Sequence, residues 1–366
     1  MTTDADLVAE AVGELLRDRC TQETVAAAEQ SGWAPELWDA LAAGGFPWIS
    51  VDEDAGGAGG SVAEACAALE QAGRYAAPVP LAETGLLAGW LLSRAGLEVP
   101  TGPASTAPGK PITLRRNRSG HNRSDWIASG SVARVPWARE ASRLALLGRA
   151  EGITVVVSID PALARIEPGT NLAGEPRDTV HLDGVPIADA DVAAAPTGVD
   201  RDALVRRGAL SRAALIAGAA GRILDITVTY TGERVQFGRP VARFQAVGAH
   251  LVRLAEQTEA VRMAARVAAA NSRAGGGPSF FDVAATKTVA SEAAGVIAAA
   301  AHQATGAMGM TREYELGQLT RRLWSWREEY GGERWWSTRL GGALAEAGAA
   351  ALWPTIAHGV RACASR

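Results

Sequence analysis

The sequence predicts a protein of mixed α and β structure, mainly α, in which helices come first, strands follow and helices return. Apolar residues recur at helical spacing near the N-terminus, and short β-like runs bounded by Gly, Pro and Asp appear after position 125. A long stretch rich in small residues then opens the last part of the chain. The length of 366 residues suits two or three domains, which we place at 1–100, 101–197 and 198–366.

The first hundred residues are expected to form a helical domain. Residues 4–46 carry apolar side chains at helical spacing, with a second helix beginning near Pro35. The segment 51–60, Val-Asp-Glu-Asp-Ala-Gly-Gly-Ala-Gly-Gly, must be a loop because its glycines break any regular element. Ser61 can cap the helix that follows it, and another helix is expected over about 83–95.

The middle of the chain is expected to form a small antiparallel β domain. Residues 101–125 hold Pro, Gly, Thr, Ser, Asn and Arg with little apolar pattern, and short strand-like runs begin only after them. These runs are Trp126–Ala128, Ser131–Val135, Leu144–Leu147, Ile153–Ser158 and Thr179–Leu182.

The last part of the chain is expected to be helical from about Asp200 onward. Ala203–Tyr230 contains many Ala and Gly residues, which let neighbouring helices approach closely in a bundle. Residues 246–270, 281–303 and 312–328 extend the helical series.

The composition excludes several classes of function. A net charge of -4 argues against a nucleic-acid partner, and no run of about 18 uninterrupted apolar residues predicts a membrane span. Cys20, Cys66 and Cys363 show neither metal-ligand spacing nor a disulfide framework, and the five histidines are scattered. We therefore expect no metal site, no secretory signal and a cytoplasmic location.

One string of residues carries a family resemblance. Arg234-Val-Gln-Phe-Gly-Arg-Pro-Val-Ala-Arg-Phe-Gln245 ends one predicted helix and opens the next. It resembles the acyl-CoA dehydrogenase family, whose members carry Arg-x-x-Phe-Gly followed by Phe-Gln at this place. The resemblance implies that Arg234 reaches the FAD pyrophosphate of a neighbouring subunit, that Phe237 packs near the adenosine half, and that Gln245 belongs to the same site. A guanidinium suits this role because it forks onto two phosphate oxygens.

A second segment, from His302 to Tyr314, resembles the family's Gln-x-x-Gly-Gly-x-Gly loop and the Thr-x-Glu-Tyr that follows it. The resemblance implies a loop against the FAD diphosphate and adenine of the adjoining subunit. Glycines there would let backbone amides approach phosphate oxygens, although Ala307 replaces one of them. The residues assigned to this loop are Gln303, Gly306, Gly309 and Thr311.

The glycine loop 51–60, with Ser61 and Glu64 after it, is similar to the family loop that shapes the acyl pocket. The resemblance thus covers nearly the whole chain in the right order. It implies an N-terminal helical domain, a middle β domain and a C-terminal four-helix bundle. The implied activity is FAD-dependent α,β-dehydrogenation of an acyl-CoA thioester, with electron-transferring flavoprotein as the family's usual electron acceptor.

The resemblance also shows departures at the catalytic base. The two positions that hold the family's glutamate fall on Tyr330 and Gly208, neither of which is a carboxylate. Glu329 precedes Tyr330, but one residue on a helix turns a side chain by about 100°. Glu329 is the candidate base, and a surface residue at a helix end is the alternative.

The middle domain departs as well. Residues 101–125 lack the Thr-Glu-Pro-x-x-Gly-Ser-Asp-like stretch with which family members hold their own FAD, and 124–130 only echoes a Gly-x-Lys-Trp-Ile strand. The chain resembles the smaller subunit of actinobacterial heteromeric acyl-CoA dehydrogenases, some of which act on steroid side-chain thioesters. Three forms stay open: a catalytic subunit, a non-catalytic partner that completes the FAD site of a fuller chain, and a homo-oligomeric flavoenzyme.

A cluster of tryptophans and arginines near the C-terminus has two readings. Trp and Arg are enriched at protein interfaces, and packing in the core at helical spacing is the other possibility. The tryptophans are Trp324, Trp326, Trp335 and Trp336.

Overall fold

The computed structural model describes residues 2–117, 126–272 and 277–358. It divides into two compact units: unit 1 holds residues 1–68 and 78–208, and unit 2 holds residues 69–77 and 209–366. The predicted order of helices, strands and helices is confirmed. The three-domain division of the sequence stays a prediction.

The N-terminal helices begin where the sequence places their caps. The Thr3 hydroxyl accepts from the backbone of Asp6, and Pro35 occupies the first turn of its helix. The Ser61 hydroxyl accepts from the backbone N–H of Glu64, whose carboxylate accepts from Ser61 in return. The helices are α1 (Asp4–Arg19), α2 (Gln22–Ser31), α3 (Pro35–Ala43), α4 (Val62–Arg74) and α5 (Trp90–Arg94).

The helix expected over 83–95 differs from the prediction in its first half. Ala82–Gly89 forms a π-helix, and only α5 continues it as an α-helix. All eight residues of the π-helix are buried. A Cβ on Gly85 would lie 2.0 Å from the Pro47 carbonyl oxygen, so glycine permits a close backbone approach here. Hydrophobic periodicity does not reveal such a widened turn, because buried residues surround it on every side.

The middle of the chain forms an eight-stranded sheet with the order β6-β7-β3-β2-β4-β5-β8, and β1 pairs with β4. The five predicted runs all lie within its longer strands. The expected antiparallel arrangement is wrong at β4, which runs parallel to both β1 and β2. β3 runs antiparallel to β2 and has β2 on one side and β7 on the other, so β4 takes the free edge of β2. Because the chain reverses direction after β3, β4 runs opposite to β3 and therefore parallel to β2. The strands are β1 (Ala104–Ser105), β2 (Ile112–Arg116), β3 (Trp126–Pro136), β4 (Arg143–Ala150), β5 (Ile153–Ile159), β6 (Arg165–Glu167), β7 (Arg177–Ile187) and β8 (Val192–Ala194).

The core of this sheet is aliphatic, with Leu144, Leu146 and Val157 fully or almost fully buried. Side chains also tie the sheet to the helices of unit 1. The Trp137 indole donates to the Gly32 carbonyl at 3.1 Å, and the Arg177 guanidinium lies 5.0 Å from the Trp137 ring centroid.

Unit 2 is built from long helices. Small residues allow α4 and α6 to cross closely within it, as the sequence predicts. A Cβ on Gly218 would meet the Glu70 carbonyl oxygen at 1.7 Å, and one on Gly73 would meet that of Leu215 at 2.0 Å. The helices are α6 (Arg201–Glu233, from Ala209 in unit 2), α7 (Gln245–Ala270), α8 (Phe280–Thr305), α9 (Leu316–Trp326), α10 (Glu333–Ala347) and α11 (Ala349–His358).

Helix α6 is long and apolar enough to span a membrane by length and composition, with a mean hydropathy of 1.3 over 18 residues. However, 67% of that window is buried inside the protein. Core helices of globular proteins pass the same test, so this helix is weak evidence for a span.

Candidate functional site: the end of helix α6 and a buried ion pair

A short hairpin follows α6 and displays the first predicted cofactor segment. Strands β9 (Val235–Gln236) and β10 (Arg239–Pro240) pair in antiparallel register around the two-residue turn Phe237-Gly238. Both turn residues have left-handed backbone, with φ of 51° and 77°, as a type I′ turn requires. The turn therefore places the Phe237 ring at the tip of the hairpin, where it is 92% exposed.

The polar groups assigned to the cofactor on this segment face solvent. Within the described part of the chain, the Arg234 guanidinium forms no ion pair and no side-chain hydrogen bond, and the exposed Gln245 amide has none either. Phe244 packs edge-on against Phe237 at 6.1 Å between ring centroids, and the Arg239 guanidinium lies 4.3 Å from the Phe244 ring. The segment thus offers a guanidinium without a partner among the described residues, at Arg234, and an exposed ring at Phe237 that packs against Phe244.

The second predicted segment begins where α8 ends. Gly306 has a left-handed φ of 60°, and a short 3-10 turn runs over Gly306–Met310. Gln303 is exposed, with no partner for its amide among the described residues. Gly309 is buried, and a Cβ there would lie 2.2 Å from the Thr305 hydroxyl oxygen, so internal packing alone requires glycine. The Thr311 hydroxyl donates to the Met308 carbonyl at 3.0 Å.

Contacts around Tyr314 bring the two segments to the same end of α6. The Tyr314 hydroxyl donates to the Ile226 carbonyl at 2.8 Å, and its ring lies 5.8 Å from that of Tyr230. Burial raises the pKa of Tyr314 to about 12. Arg234 follows Tyr230 by four residues, about 6 Å along a helix. One end of α6 therefore carries both segments assigned to FAD.

The candidate base, Glu329, is engaged in a buried ion pair. Its Oε2 accepts a hydrogen bond from Nε of Arg212 at 2.6 Å, and both side chains are buried. The Arg212 guanidinium also lies 5.2 Å from the Tyr330 ring centroid. The alternative reading of Glu329 as a surface residue is wrong, because only 8% of it is exposed.

The backbone turns sharply after Glu329. Tyr330 has a left-handed φ of 57° and Gly331 has one of 96°, so the chain reverses between α9 and α10. Arg212 and the buried Lys287 were not identified from the sequence. Arg212 binds the Glu329 carboxylate, and Lys287 donates to the last carbonyls before this turn. The available signal was a single cation flanked on both sides by small and apolar residues, since a buried charge is normally paired.

The strand that only echoes the family's Gly-x-Lys-Trp-Ile is partly described, since Ser124 and Asp125 lie outside the described residues. Trp126, at the start of β3, is buried, and its indole N–H donates to Asp189 at 2.8 Å. The Arg116 guanidinium lies 3.9 Å from the Trp126 ring centroid and donates to the same carboxylate at 2.9 Å. One face of this tryptophan is therefore covered by a side chain of the same unit.

Comparison with known proteins establishes the family. The model for the acyl-CoA dehydrogenase N-terminal domain matches residues 2–99, and the model for the acyl-CoA dehydrogenase C-terminal domain matches residues 203–332. The two together match more than half of the sequence. The chain belongs to the acyl-CoA dehydrogenase family, whose cofactor is FAD.

Individual relatives agree with this result. The chain is 28% identical to acyl-CoA dehydrogenase IpdE2 of Mycolicibacterium smegmatis over 319 residues, covering 86% of this chain and 91% of the relative. It is 34% identical to acyl-CoA dehydrogenase FadE28 of Mycobacterium tuberculosis over 226 residues, covering 58% of this chain and 65% of that protein. Its fold matches the crystal structure of the ChsE4-ChsE5 complex from Mycobacterium tuberculosis with a TM-score of 0.82 at 22% identity, covering 94% and 98% of the two chains.

The residues at the end of α6 fit part of an FAD molecule. An unengaged guanidinium at Arg234 suits a pyrophosphate, and the exposed amides of Gln245 and Gln303 suit phosphate or ribose oxygens. The Phe237 ring offers apolar contact to one end of the cofactor. Because all four face solvent, they suit a cofactor held largely by another surface.

Proposed function

We propose that this chain is one subunit of a heteromeric FAD-dependent acyl-CoA dehydrogenase, and that it completes the FAD site of a fuller partner chain without supplying the catalytic base. The observation that carries the proposal is the buried ion pair between Arg212 and Glu329 at 2.6 Å. The reaction of the assembly is α,β-dehydrogenation of an acyl-CoA thioester, for which FAD supplies the hydride acceptor when bound.

The ion pair supports the inference that Glu329 is not the base. A base that takes the α proton must face the substrate, and its strength rises when it is desolvated without a cation. Glu329 instead accepts from a guanidinium that is 1% exposed. Freeing it would leave two buried charges apart, which costs about 3–5 kcal/mol. Gly208 and Tyr330 offer no carboxylate, so we assign proton abstraction to the partner chain.

This chain's own contribution is to orient the cofactor. The Arg234 fork would hold the pyrophosphate, and the amides of Gln245 and Gln303 would donate to oxygens beside it. Phe237 would cover the adenosine end and exclude water from it. Such contacts position a cofactor and strengthen the electrostatic interactions around it.

The comparisons support a heteromeric assembly. The fold is that of a protein solved as a complex of two named chains, ChsE4 and ChsE5. We extend the proposal to bulky acyl-CoA substrates such as steroid side-chain thioesters, to electron-transferring flavoprotein as the electron acceptor, and to a cytoplasmic location.

The first test is the absorbance of the full chain, purified alone and after co-expression with a longer family member that has an intact glutamate. We expect no flavin absorbance band for the chain alone and a stoichiometric band for the co-purified complex. A lone chain that is yellow and turns over an acyl-CoA would overturn the proposal.

A second test addresses the base directly. The variant Glu329→Gln, and the double variant Arg212→Met with Glu329→Leu, are compared in the assembled complex. We expect turnover per bound flavin to stay within about twofold of the parent for any variant that remains folded. A loss of about a thousandfold or more at unchanged flavin content would identify Glu329 as the base and show that the chain is catalytic.

A further inference from the structure

Arg207, on the part of α6 that belongs to unit 1, is a buried cation without an acidic partner. It is 5% exposed, and none of the described residues forms an ion pair with it. Its one hydrogen bond within the described chain, to the Leu86 carbonyl of the π-helix, is long at 3.4 Å. Its guanidinium also lies 4.3 Å from the Trp90 ring centroid.

The charges around Arg207 do not neutralise it. Arg94 and Arg206 repel it, and the opposing influences come from Cys66 and Asp52. Asp52 is exposed and accepts from the Ser93 hydroxyl at 3.1 Å. Burial is the main cause that lowers the pKa of Arg207 to about 9, so desolvation of the cation outweighs everything that favours its charge.

Two of the other buried arginines in the described chain show how the protein pairs such a charge. Nε of Arg212 lies 2.6 Å from the Glu329 carboxylate, and an Nη of Arg177 lies 2.9 Å from that of Glu175. Buried charges are costly unless paired and hydrogen-bonded. The contact with the ring of Trp90 offsets only part of that cost.

We propose that Arg207 anchors a carboxylate-binding site within unit 1, and that the acyl thioester handled by this assembly carries a second, free carboxylate. The identity of the ligand as an acyl thioester rests on the proposed function, whereas the existence of the site does not. A planar guanidinium with an aromatic ring on one face presents its N–H edge to a carboxylate in a bidentate geometry. The buried π-helix beside it keeps water away, which strengthens that interaction.

The test of the site uses the full chain without flavin, partner or turnover. Glutarate, its neutral diamide glutaramide and inorganic phosphate are titrated by calorimetry and by their effect on Tm. We expect glutarate to bind and raise Tm while the diamide does not. Binding of phosphate alone, or of none of the three, would overturn the proposal.

Three substitutions separate binding from a structural role. Arg207→Met should weaken glutarate binding about tenfold to a hundredfold, and Arg207→Lys should weaken it less because the charge remains without the fork. The exposed Arg17→Met, on α1 of the same unit, is the matched control and should bind glutarate like the parent chain. Arg207→Met should also be at least as stable as the parent without ligand, because it removes an uncompensated charge. A clear fall in its stability together with unchanged glutarate binding would show that Arg207 is only structural.

A final comparison uses the flavin-loaded complex. An acyl thioester with a free terminal carboxylate is compared with its methyl ester. Arg207→Met should lower kcat/KM about tenfold or more for the carboxylate and leave the ester within about twofold. An equal fall in kcat/KM for the carboxylate and for the ester would exclude carboxylate recognition in catalysis. This outcome does not depend on whether the chain is a catalytic or an accessory subunit.

Discussion

The Lys287 ammonium donates a hydrogen bond to the Arg327 carbonyl at 2.7 Å, at the point where α9 ends. It also donates to the Trp326 carbonyl at 3.1 Å and to the Ser291 hydroxyl at 3.0 Å. A cation at the C-terminus of a helix satisfies carbonyls that have no partner within the helix. It also interacts favourably with the negative end of the helix dipole. Lys287 therefore fixes the direction in which the chain leaves α9 toward Glu329.

The burial of Lys287 predicts a dependence of stability on pH. Burial lowers its pKa from 10.5 to about 7. Above about pH 7 the unfolded chain keeps a proton that the folded chain loses, so the free energy of unfolding should rise with pH by up to about 1.4 kcal/mol per unit. Between pH 7 and 9 this rise should be visible in urea unfolding. The charged groups that influence Lys287 are Glu329, Glu328, Arg212 and Arg327.

The control for this experiment lies in the same chain. Lys287→Met should abolish the rise between pH 7 and 9, whereas Lys110→Met, at an exposed position, should keep it. An unchanged slope in Lys287→Met would contradict the assignment.

The Arg212–Glu329 ion pair should behave as a buried pair in a double-mutant cycle. Arg212→Met or Glu329→Leu alone should lower the free energy of unfolding by about 3–5 kcal/mol, because each leaves one buried charge unpaired. The double variant should lose far less than the sum of the two. As a control, Glu315→Gln breaks the half-exposed pair with Arg222 and should lose at most about 1 kcal/mol. Additive losses in the first cycle would show that the two side chains act independently.

The crossing of α4 and α6 should tolerate no added methyl group. Gly218→Ala places a Cβ against the Glu70 backbone and should destabilise unit 2 by about 1–3 kcal/mol or more, measured by chemical unfolding. Gly232→Ala, on the same helix but with open space around it, should be neutral or stabilise by up to about 1 kcal/mol. Equal effects at the two positions would rule out close packing as the reason for glycine at Gly218.

Replacing Arg234 should separate cofactor retention from folding. Arg234→Lys keeps the charge but removes the bidentate fork, so flavin bound per complex after dialysis should fall several-fold. The chain's own stability should change by at most about 0.5 kcal/mol because the residue is exposed. Arg253→Lys, also exposed, provides the matched control on α7. Full flavin retention in Arg234→Lys would remove this residue from the cofactor site.

Local patterns in the sequence were enough to predict much of the fold. Capping residues and apolar spacing predicted the starts at Pro35 and Ser61 and the order of the elements, because these signals act over a few residues. The π-helix and the parallel pairing of β4 escaped prediction, since both depend on contacts between distant parts of the chain.

The site was predictable only where it consists of contiguous motifs. The string from Arg234 and the loop after α8 could be identified from their residues, and their common position at the end of α6 depends on the contact between Tyr314 and Ile226. The pairing of Arg212 with Glu329 joins residues 117 positions apart, so spacing alone could not reveal it. Gly309 was assigned to the cofactor, yet packing against Thr305 already requires glycine there.

The type I′ turn at Phe237 and Gly238 bears on the thermodynamics of association. A two-residue loop with left-handed backbone at both positions leaves the hairpin tip little conformational freedom to lose. The hairpin tip therefore loses its conformational entropy during folding and not during binding. The exposed Phe237 ring is thus preorganised for the surface that covers it. Mutations that loosen the turn without touching the ring should weaken association mainly through entropy.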